Sequence, residues 1–401
     1  MAIEGKSENS ATMPVRLGMV GGGQGAFIGG VHRIAARMDG HYELVAGALS
    51  ANPEKAMASA AELGLDPERS YASFEDMAKV EAKRADGIEA VAIVTPNHMH
   101  FPVAKAFLKA GIHVICDKPL TSTLADAKKL AALAAESGKL FILTHNYTGY
   151  PMIRHARDMV AKGELGRIQL VQSEYAQDWL TTPLEKTGQK QADWRTDPER
   201  SGAGGAIGDI GTHAFNLACF ASGLEAESVS ADLDSFVDGR RLDDNVHVML
   251  RFKPIVRGNR VEHPAKGMLW ASQVAPGNEN ALKLRIYGTK GGIEWAQEDP
   301  NYLWYTPYGE PKRLITRGGS GSNPAAARVT RVPPGHPEGY LEGFANIYTE
   351  AATAIRALRG KKGKVPKDVL YPTVQDGLAG MKFIDACVRS SKKNSGWTKL
   401  D

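Results

Sequence analysis

Six residues near the start of the chain, Gly21-Gly22-Gly23-Gln24-Gly25-Ala26, constrain the fold more than any others. Four glycines so close together belong neither inside a helix nor inside a strand, because that much backbone freedom costs both. They sit between an apolar run, residues 15–20, and a segment whose apolar residues Ile28, Val31, Ile34, Ala35 and Met38 recur at helical spacing. The stretch is therefore a tight strand-to-helix turn. Downstream the alternation continues. Residues 42–49, 89–94, 112–116 and 140–144 read as strands, and 53–63, 103–110 and 125–135 as helices, the last closed by Gly138. Strand, helix, strand at this spacing requires right-handed crossovers and a mainly parallel sheet covered on both faces. An N-terminal doubly wound α/β domain of the Rossmann type is expected over residues 14–148.

In that position the glycines acquire a function. Gly21, Gly23 and Ala26 match G-x-G-x-x-G/A, in which the backbone approaches a pyrophosphate and the following helix start supplies amide donors. Gln24, Gly25, Phe27 and Ile28 lie on the same approach and complete the expected cofactor loop, which Gly29-Gly30 lengthens beyond what the fingerprint requires. A carboxylate ordinarily follows the second strand and favours NAD over NADP. Here Ser50 stands there, with no arginine beside it to hold an extra phosphate. The cofactor is expected to be NAD or NADP, with a lean to NAD.

Ligands on open α/β sheets bind beyond the carboxyl ends of the strands. The third strand ends in Thr95, Pro96 and Asn97, followed by His98 and His100, and the fourth ends in Asp117, Lys118 and Pro119. Thr95, Pro96, Asn97, His100, Asp117 and Lys118 are therefore candidate cofactor contacts. Lys118 could also bind a substrate oxygen or stabilise negative charge on it, although a solvated lysine at a strand end would look the same. The His98/His100 pair has no further ligand at suitable spacing, so no metal is expected. Cys116 reads as a core residue.

After residue 148 the pattern changes. A helix at 152–161 and a strand at 168–176 precede a polar loop through Trp194 and Arg195. A glycine-dense approach then leads to Asp209 and His213, which a regular helix would stack one turn apart. A carboxylate so placed would orient the imidazole and raise its pKa toward neutrality. The same spacing also fits an ordinary surface ion pair, but Gly202, Gly204, Gly205 and Gly208 argue that backbone must approach something closely. Residues 229–237, 245–252, 266–274, 281–287 and 292–295 read as antiparallel strands, the last two joined by a hairpin at 288–292. A loop at 317–337 and helices at 340–358 and 373–389 follow. Residues 149–401 are expected to form an α+β domain with a large, mainly antiparallel open sheet. Its C-terminal helices have the length to pack back on the first domain.

Lysine and arginine number 49 against 45 acidic residues, without basic blocks, which excludes nucleic acid and polybasic membrane binding. No apolar run approaches the ~20 residues of a membrane span. Three scattered cysteines point to a reducing compartment. Residues 1–13 read as a disordered polar leader without a signal-peptide core, and a cytoplasmic location is expected.

Taken together, the glycine loop with the helix bearing His32, Thr95-Pro96-Asn97-His98-Met99-His100, Asp117-Lys118-Pro119 and Gly205-Ala-Ile-Gly-Asp209-Ile-Gly-Thr-His213 resemble the glucose–fructose oxidoreductase / inositol dehydrogenase / rhizopine catabolism (Gfo/Idh/MocA) family. Within it the chain is similar to the sugar and anhydrosugar (levoglucosan-type) dehydrogenases. The resemblance implies an enzyme, an NAD(P)-dependent oxidoreductase oxidising a secondary hydroxyl of a sugar or polyol. By motif, Lys118 would contact substrate oxygen and cofactor, Asp209 would bind substrate hydroxyls, and His213 would be the acid/base. Tyr147, Trp194 and Arg195 would face the substrate. Asp117 departs from the commoner Glu. Two alternatives stay open: redox-neutral glycosidase or sugar–sugar chemistry with a tightly bound, recycling cofactor, and a non-catalytic nucleotide sensor. A homodimer or homotetramer through the open sheet is expected.

Overall fold

The structure is a computed structural model that describes residues 13–257, 260–359 and 363–401. The expected leader lies outside the described residues except for Met13. The first lobe runs β1 (Val15–Gly21), α1 (Phe27–Met38), β2 (Tyr42–Ala48), α2 (Pro53–Glu62), α3 (Phe74–Glu81), β3 (Ala90–Val94), α4 (Asn97–Lys109), β4 (His113–Cys116), α5 (Leu124–Ser137) and β5 (Phe141–Leu143). Its strands form a parallel sheet in the order β2-β1-β3-β4-β5. The strand order reverses between β1 and β3, and a crevice opens at their carboxyl ends. Every residue of β3 is buried, as a strand covered on both faces must be.

The second lobe contains α6 (Pro151–Ala161), β6 (Ile168–Ala176), α7 (Lys190–Arg195), α8 (Pro198–Ser201), α9 (Thr212–Ser222), β7 (Ala226–Asp234), β8 (Asn245–Phe252), β9 (Val256–Arg257), β10 (Arg260–Val261), β11 (Lys266–Ser272), β12 (Ala281–Gly288), β13 (Gly291–Ala296), β14 (Tyr302–Pro307), β15 (Arg313–Thr316), α10 (Pro324–Ala327), α11 (Tyr340–Ala357), α12 (Val374–Ser391) and β16 (Thr398–Lys399). Nine of these strands make one sheet, β15-β14-β13-β12-β6-β11-β8-β7-β16, antiparallel except where β6 meets β11. The 288–292 turn links β12 to β13 as the glycines predict.

Some elements depart from the sequence reading. Helix α4 starts at Asn97, earlier than the apolar spacing suggests, and carries Pro102 inside it. Helix α3, not anticipated, is capped by Ser73, whose hydroxyl accepts from the Asp76 amide. The polar stretch around Trp194 coils into α7 and α8, and β14 and β15 extend the sheet beyond the predicted strands. Helix α11 returns to the first lobe along α1. There Tyr348 Oη meets His32 Nδ1 at 2.8 Å, and Tyr42 Oη donates to the Tyr348 carbonyl at 2.8 Å. Phe344, Ile347 and Ala351 of α11 join Leu17, Met19 and Ala92 in one core, while the opposite face of the parallel sheet is continuous with the second lobe's core.

Candidate active site

A cleft of about 1190 Å³ runs from the glycine loop to the face of the second sheet. At one end β1 finishes in Gly21, whose φ of +80° suits glycine. Gly29 is not part of the loop. It lies inside α1, where an added Cβ would come within 2.4 Å of the Gly22 Cα. The two extra glycines therefore do not lengthen the turn; Gly29 lets the helix and the strand end touch.

The amides of Gly23, Gln24 and Ala26 are already bonded, to the Leu49 carbonyl, Ser59 Oγ and the Gly23 carbonyl. The open donors are instead those of the first turn of α1, Phe27 and Ile28, which has no side-chain cap and no acidic residue. At the end of β2, Ser50 Oγ accepts from the Asn52 amide, and Lys55 lines the same corner of the cleft.

Thr95, Pro96, Asn97, Asp117 and Lys118 all line the cleft. Asn97 also ties the lobes together, its Nδ2 donating to the Ser201 carbonyl at 3.0 Å. Asp117 holds the turn, accepting from the Lys118 amide and from Thr144 Oγ1. His100 corrects the expectation of a cofactor contact. Its ring is fully buried, with Nδ1 2.7 Å from the Pro119 carbonyl oxygen and Nε2 3.0 Å from that of Thr95, so it ties two strand ends together behind the cleft.

Across the cleft the glycine-dense segment behaves as its composition requires. A Cβ on Gly205 would stand 2.0 Å from the Asp243 carbonyl oxygen, and the Asp243 carboxylate accepts from the Gly205 and Ile207 amides at 2.7 and 2.8 Å. Burial pushes the Asp243 carboxyl up to about 6, against those amides. The chain then enters one π-helical turn, Ile207–Gly211, before α9 begins. With i→i+5 bonding, side chains four apart no longer stack.

Asp209 consequently turns to Lys118, not to His213. Lys118 Nζ donates to Asp209 Oδ1 at 2.8 Å and to the Asp209 carbonyl at 2.6 Å; Arg195 Nε and Gln273 Nε2 donate to Oδ2 at 3.2 and 2.9 Å. Burial alone would raise this carboxyl, but the Lys118 and Arg195 charges hold it well below the usual range.

His213 packs with its Nδ1 3.5 Å from Nδ1 of His145 and its ring against Tyr147, centroids 4.9 Å apart. Burial, then Lys118 and His145, lower its pKa well below the ordinary value, and Asp209 opposes this only as the smallest influence. Asp209 acts in the expected direction, but burial, Lys118 and His145 outweigh it, so the expected rise of the His213 pKa toward neutrality is overturned. Tyr147 Oη bonds Tyr175 Oη at 2.6 Å, and Tyr175 donates to Asn280. Arg195 stacks over the Trp194 ring at 4.3 Å, and both line the cleft with Tyr147.

Sequence reasoning missed His145, Tyr175, Gln273 and Asn280. His145 follows β5, so the strand-end rule could have found it. The other three come from strands or loops of the second sheet, where no local pattern marks them.

Residues 15–145 match the oxidoreductase family with an NAD-binding Rossmann fold, and residues 153–294 match the GFO/IDH/MocA C-terminal domain. The chain belongs to the Gfo/Idh/MocA oxidoreductase family. Similar proteins include an oxidoreductase from Sinorhizobium meliloti, 63% identical, with a TM-score of 0.86 over 96% of this chain and 99% of that one. An inositol dehydrogenase homologue from Azotobacter vinelandii, solved with NADH and myo-inositol, is 33% identical, with a TM-score of 0.89 over 98% and 99% of the two chains. Levoglucosan dehydrogenase of Pseudarthrobacter phenanthrenivorans is 29% identical over 95% of this chain and 97% of its own.

As a member of the Gfo/Idh/MocA family the protein is an NAD(P)-binding oxidoreductase, and its cleft fits that cofactor. Besides the uncapped start of α1, Thr95 Oγ1 and Asn146 Nδ2 are buried polar atoms without a protein partner, on residues that line the cleft. Unpaired buried donors and acceptors are costly unless a ligand or water meets them. No helix among the described residues is long and apolar enough to cross a membrane.

Proposed function

We propose that the protein is a dehydrogenase that oxidises a secondary hydroxyl of a sugar, anhydrosugar or polyol, with NAD favoured over NADP. The observation that carries this reading is that Lys118 and His213, one from each lobe, line the same cleft as the glycine loop. When bound, the nicotinamide supplies the hydride acceptor. The protein's part is orientation and proton handling.

Lys118 spends two of its three ammonium hydrogens on Asp209, leaving one for a substrate oxygen. Its charge stabilises negative charge on that oxygen. Asp209 holds Lys118, Arg195 and Gln273 in place while retaining acceptor capacity for a hydroxyl. His213, neutral at working pH, takes the hydroxyl proton. Tyr147, Trp194 and Arg195 border the space left for the ring of the substrate. The absence of an arginine beside Ser50 supports NAD. A cytoplasmic homodimer or homotetramer is the reading we adopt, with Met249, Met268 and Trp304, each more than 40% exposed on the second sheet, as its contact face.

The test is a panel of pyranoses, anhydrosugars and cyclic polyols with each nucleotide, followed by nicotinamide absorbance. Lys118→Ala and His213→Ala are expected to lower kcat by at least about 100-fold on the best substrate. Full turnover in Lys118→Ala would end the reading. Release of stoichiometric nucleotide from the denatured, purified protein would turn it toward a recycling cofactor.

A further inference from the structure

The proton that His213 takes must be accommodated by its ring, and Asp209, the obvious partner, is engaged elsewhere. Its two carboxylate oxygens already meet Lys118, Arg195 and Gln273. The group that faces the second nitrogen of His213 is a histidine. His145 lies just beyond β5, buried and behind the cleft, with Nδ1 3.5 Å from His213 Nδ1 and the two rings nearly perpendicular at 84°. Its segment is pinned: the His145 amide donates to the Leu143 carbonyl, and the Thr148 hydroxyl donates to the His145 carbonyl. Tyr147 and Tyr175 pack against the other sides of the His213 ring.

We propose that His145 is a positioning residue for His213: its Nδ1 accepts the proton on His213 Nδ1, which leaves Nε2 of His213 bare and available to the cleft. A bare Nε2 is what a base for hydroxyl oxidation requires, and which nitrogen carries the proton is set by the bond that the other makes. When the substrate hydroxyl's proton passes to Nε2, His213 becomes an imidazolium. Its Nδ1–H then donates a charge-assisted bond to the His145 lone pair, and the separation shortens. A neutral acceptor orients the ring without adding negative charge. The charged and titratable groups around the pair are Lys118, which disfavours the imidazolium of both rings, and Asp209, which favours that of His213. Burial and Lys118 bring His145 down to about 3, so it remains an acceptor through the working range.

This inference rests on His213 being the base, and the first test does not need turnover. Nitrogen-15 spectra of the histidine-labelled protein are expected to show His213 protonated at Nδ1, and in His145→Phe at Nε2 or as a mixture. Protonation of His213 at Nε2 in the unaltered protein overturns the proposal whether or not a substrate has been found.

With a substrate, His145→Phe is expected to lower kcat roughly 10- to 100-fold, because tautomer control is lost, while NADH binding measured by fluorescence is unchanged. His145→Asn, which restores an acceptor, should recover part of that loss, and His145→Asp should move the acid limb of the kcat profile to higher pH. An Asn variant no better than Phe, or an acid limb that stays in place with Asp, overturns the proposal. If the Phe variant does not fold, the Asn and Asp variants decide it.

Discussion

Both ring nitrogens of His100 face backbone carbonyl oxygens, and a neutral imidazole has only one N–H to offer. Burial lowers its pKa, while Asp117 and the two carbonyls pull the other way. The ring joins the end of β3 to the turn that carries Lys118, so its loss should loosen the cofactor end of the cleft. His100→Leu is expected to lower stability by about 1–3 kcal/mol, since it strands the carbonyl that the ring N–H meets, and to weaken NADH binding. His100→Gln, which keeps one donor, should lose less. Denaturant unfolding and NADH titration check both, and equal stability of Leu and Gln variants would remove the tie from consideration. Lys118, Asp209 and His213 were legible in the sequence because strand ends and glycine-dense approaches mark where backbone serves a ligand. Their pairing was not. A π turn looks like an α turn in residue types alone, so the Asp209–His213 stack dissolved, and the partners that replaced it come from distant strands.

Among the elements, α1 meets β1 through glycine. Gly29→Ala would drive a methyl toward the Gly22 Cα, moving the helix start whose amides face the cleft; Gly30→Ala would meet nothing nearer than the tip of Arg33 at 4.0 Å. Gly29→Ala is therefore expected to lower stability by about 1–3 kcal/mol and to raise the Kd for NADH. Gly30→Ala, inside the same helix, should be neutral or raise stability by up to about 1 kcal/mol. A pair of melting curves with NADH titrations distinguishes them, and identical behaviour would show that α1 has room to shift.

The same contrast explains what the sequence revealed at this scale. The parallel strands are mainly apolar runs bounded by turns, so their type and their succession along the chain could be read. Helix α3 escaped because its signal is a cap, Ser73, rather than a long apolar stripe. β14 and β15 lie at the sheet edge, where exposed Tyr302, Trp304 and Leu314 blur the alternation.

For the whole molecule, burial of neutral histidines links folding to pH. Burial pushes His32 and His113 down to about 4 and His145 to about 3, and His213 falls well below its ordinary value. Once unfolded, each would titrate near 6.5, so below that pH the unfolded chain binds more protons and stability falls as pH falls. Each ring costs about 1.4 kcal/mol per pH unit below 6.5, until the pH reaches its folded value. Four such rings sum to about 5 kcal/mol between pH 7.5 and 5.5, a large part of a typical folding free energy.

Asp243 acts with the opposite sign. Its folded pKa of about 6 lies above the unfolded one, so acid returns stability there, but only about 1 kcal/mol by pH 5.5. The net expectation is a Tm that drops by roughly 5 to 10 °C over that interval. His113→Gln, which removes one titrating ring remote from the cleft, should recover about a quarter of the drop. Calorimetry across the pH series measures both; a flat Tm would mean that these rings are already charged or solvated in the folded protein.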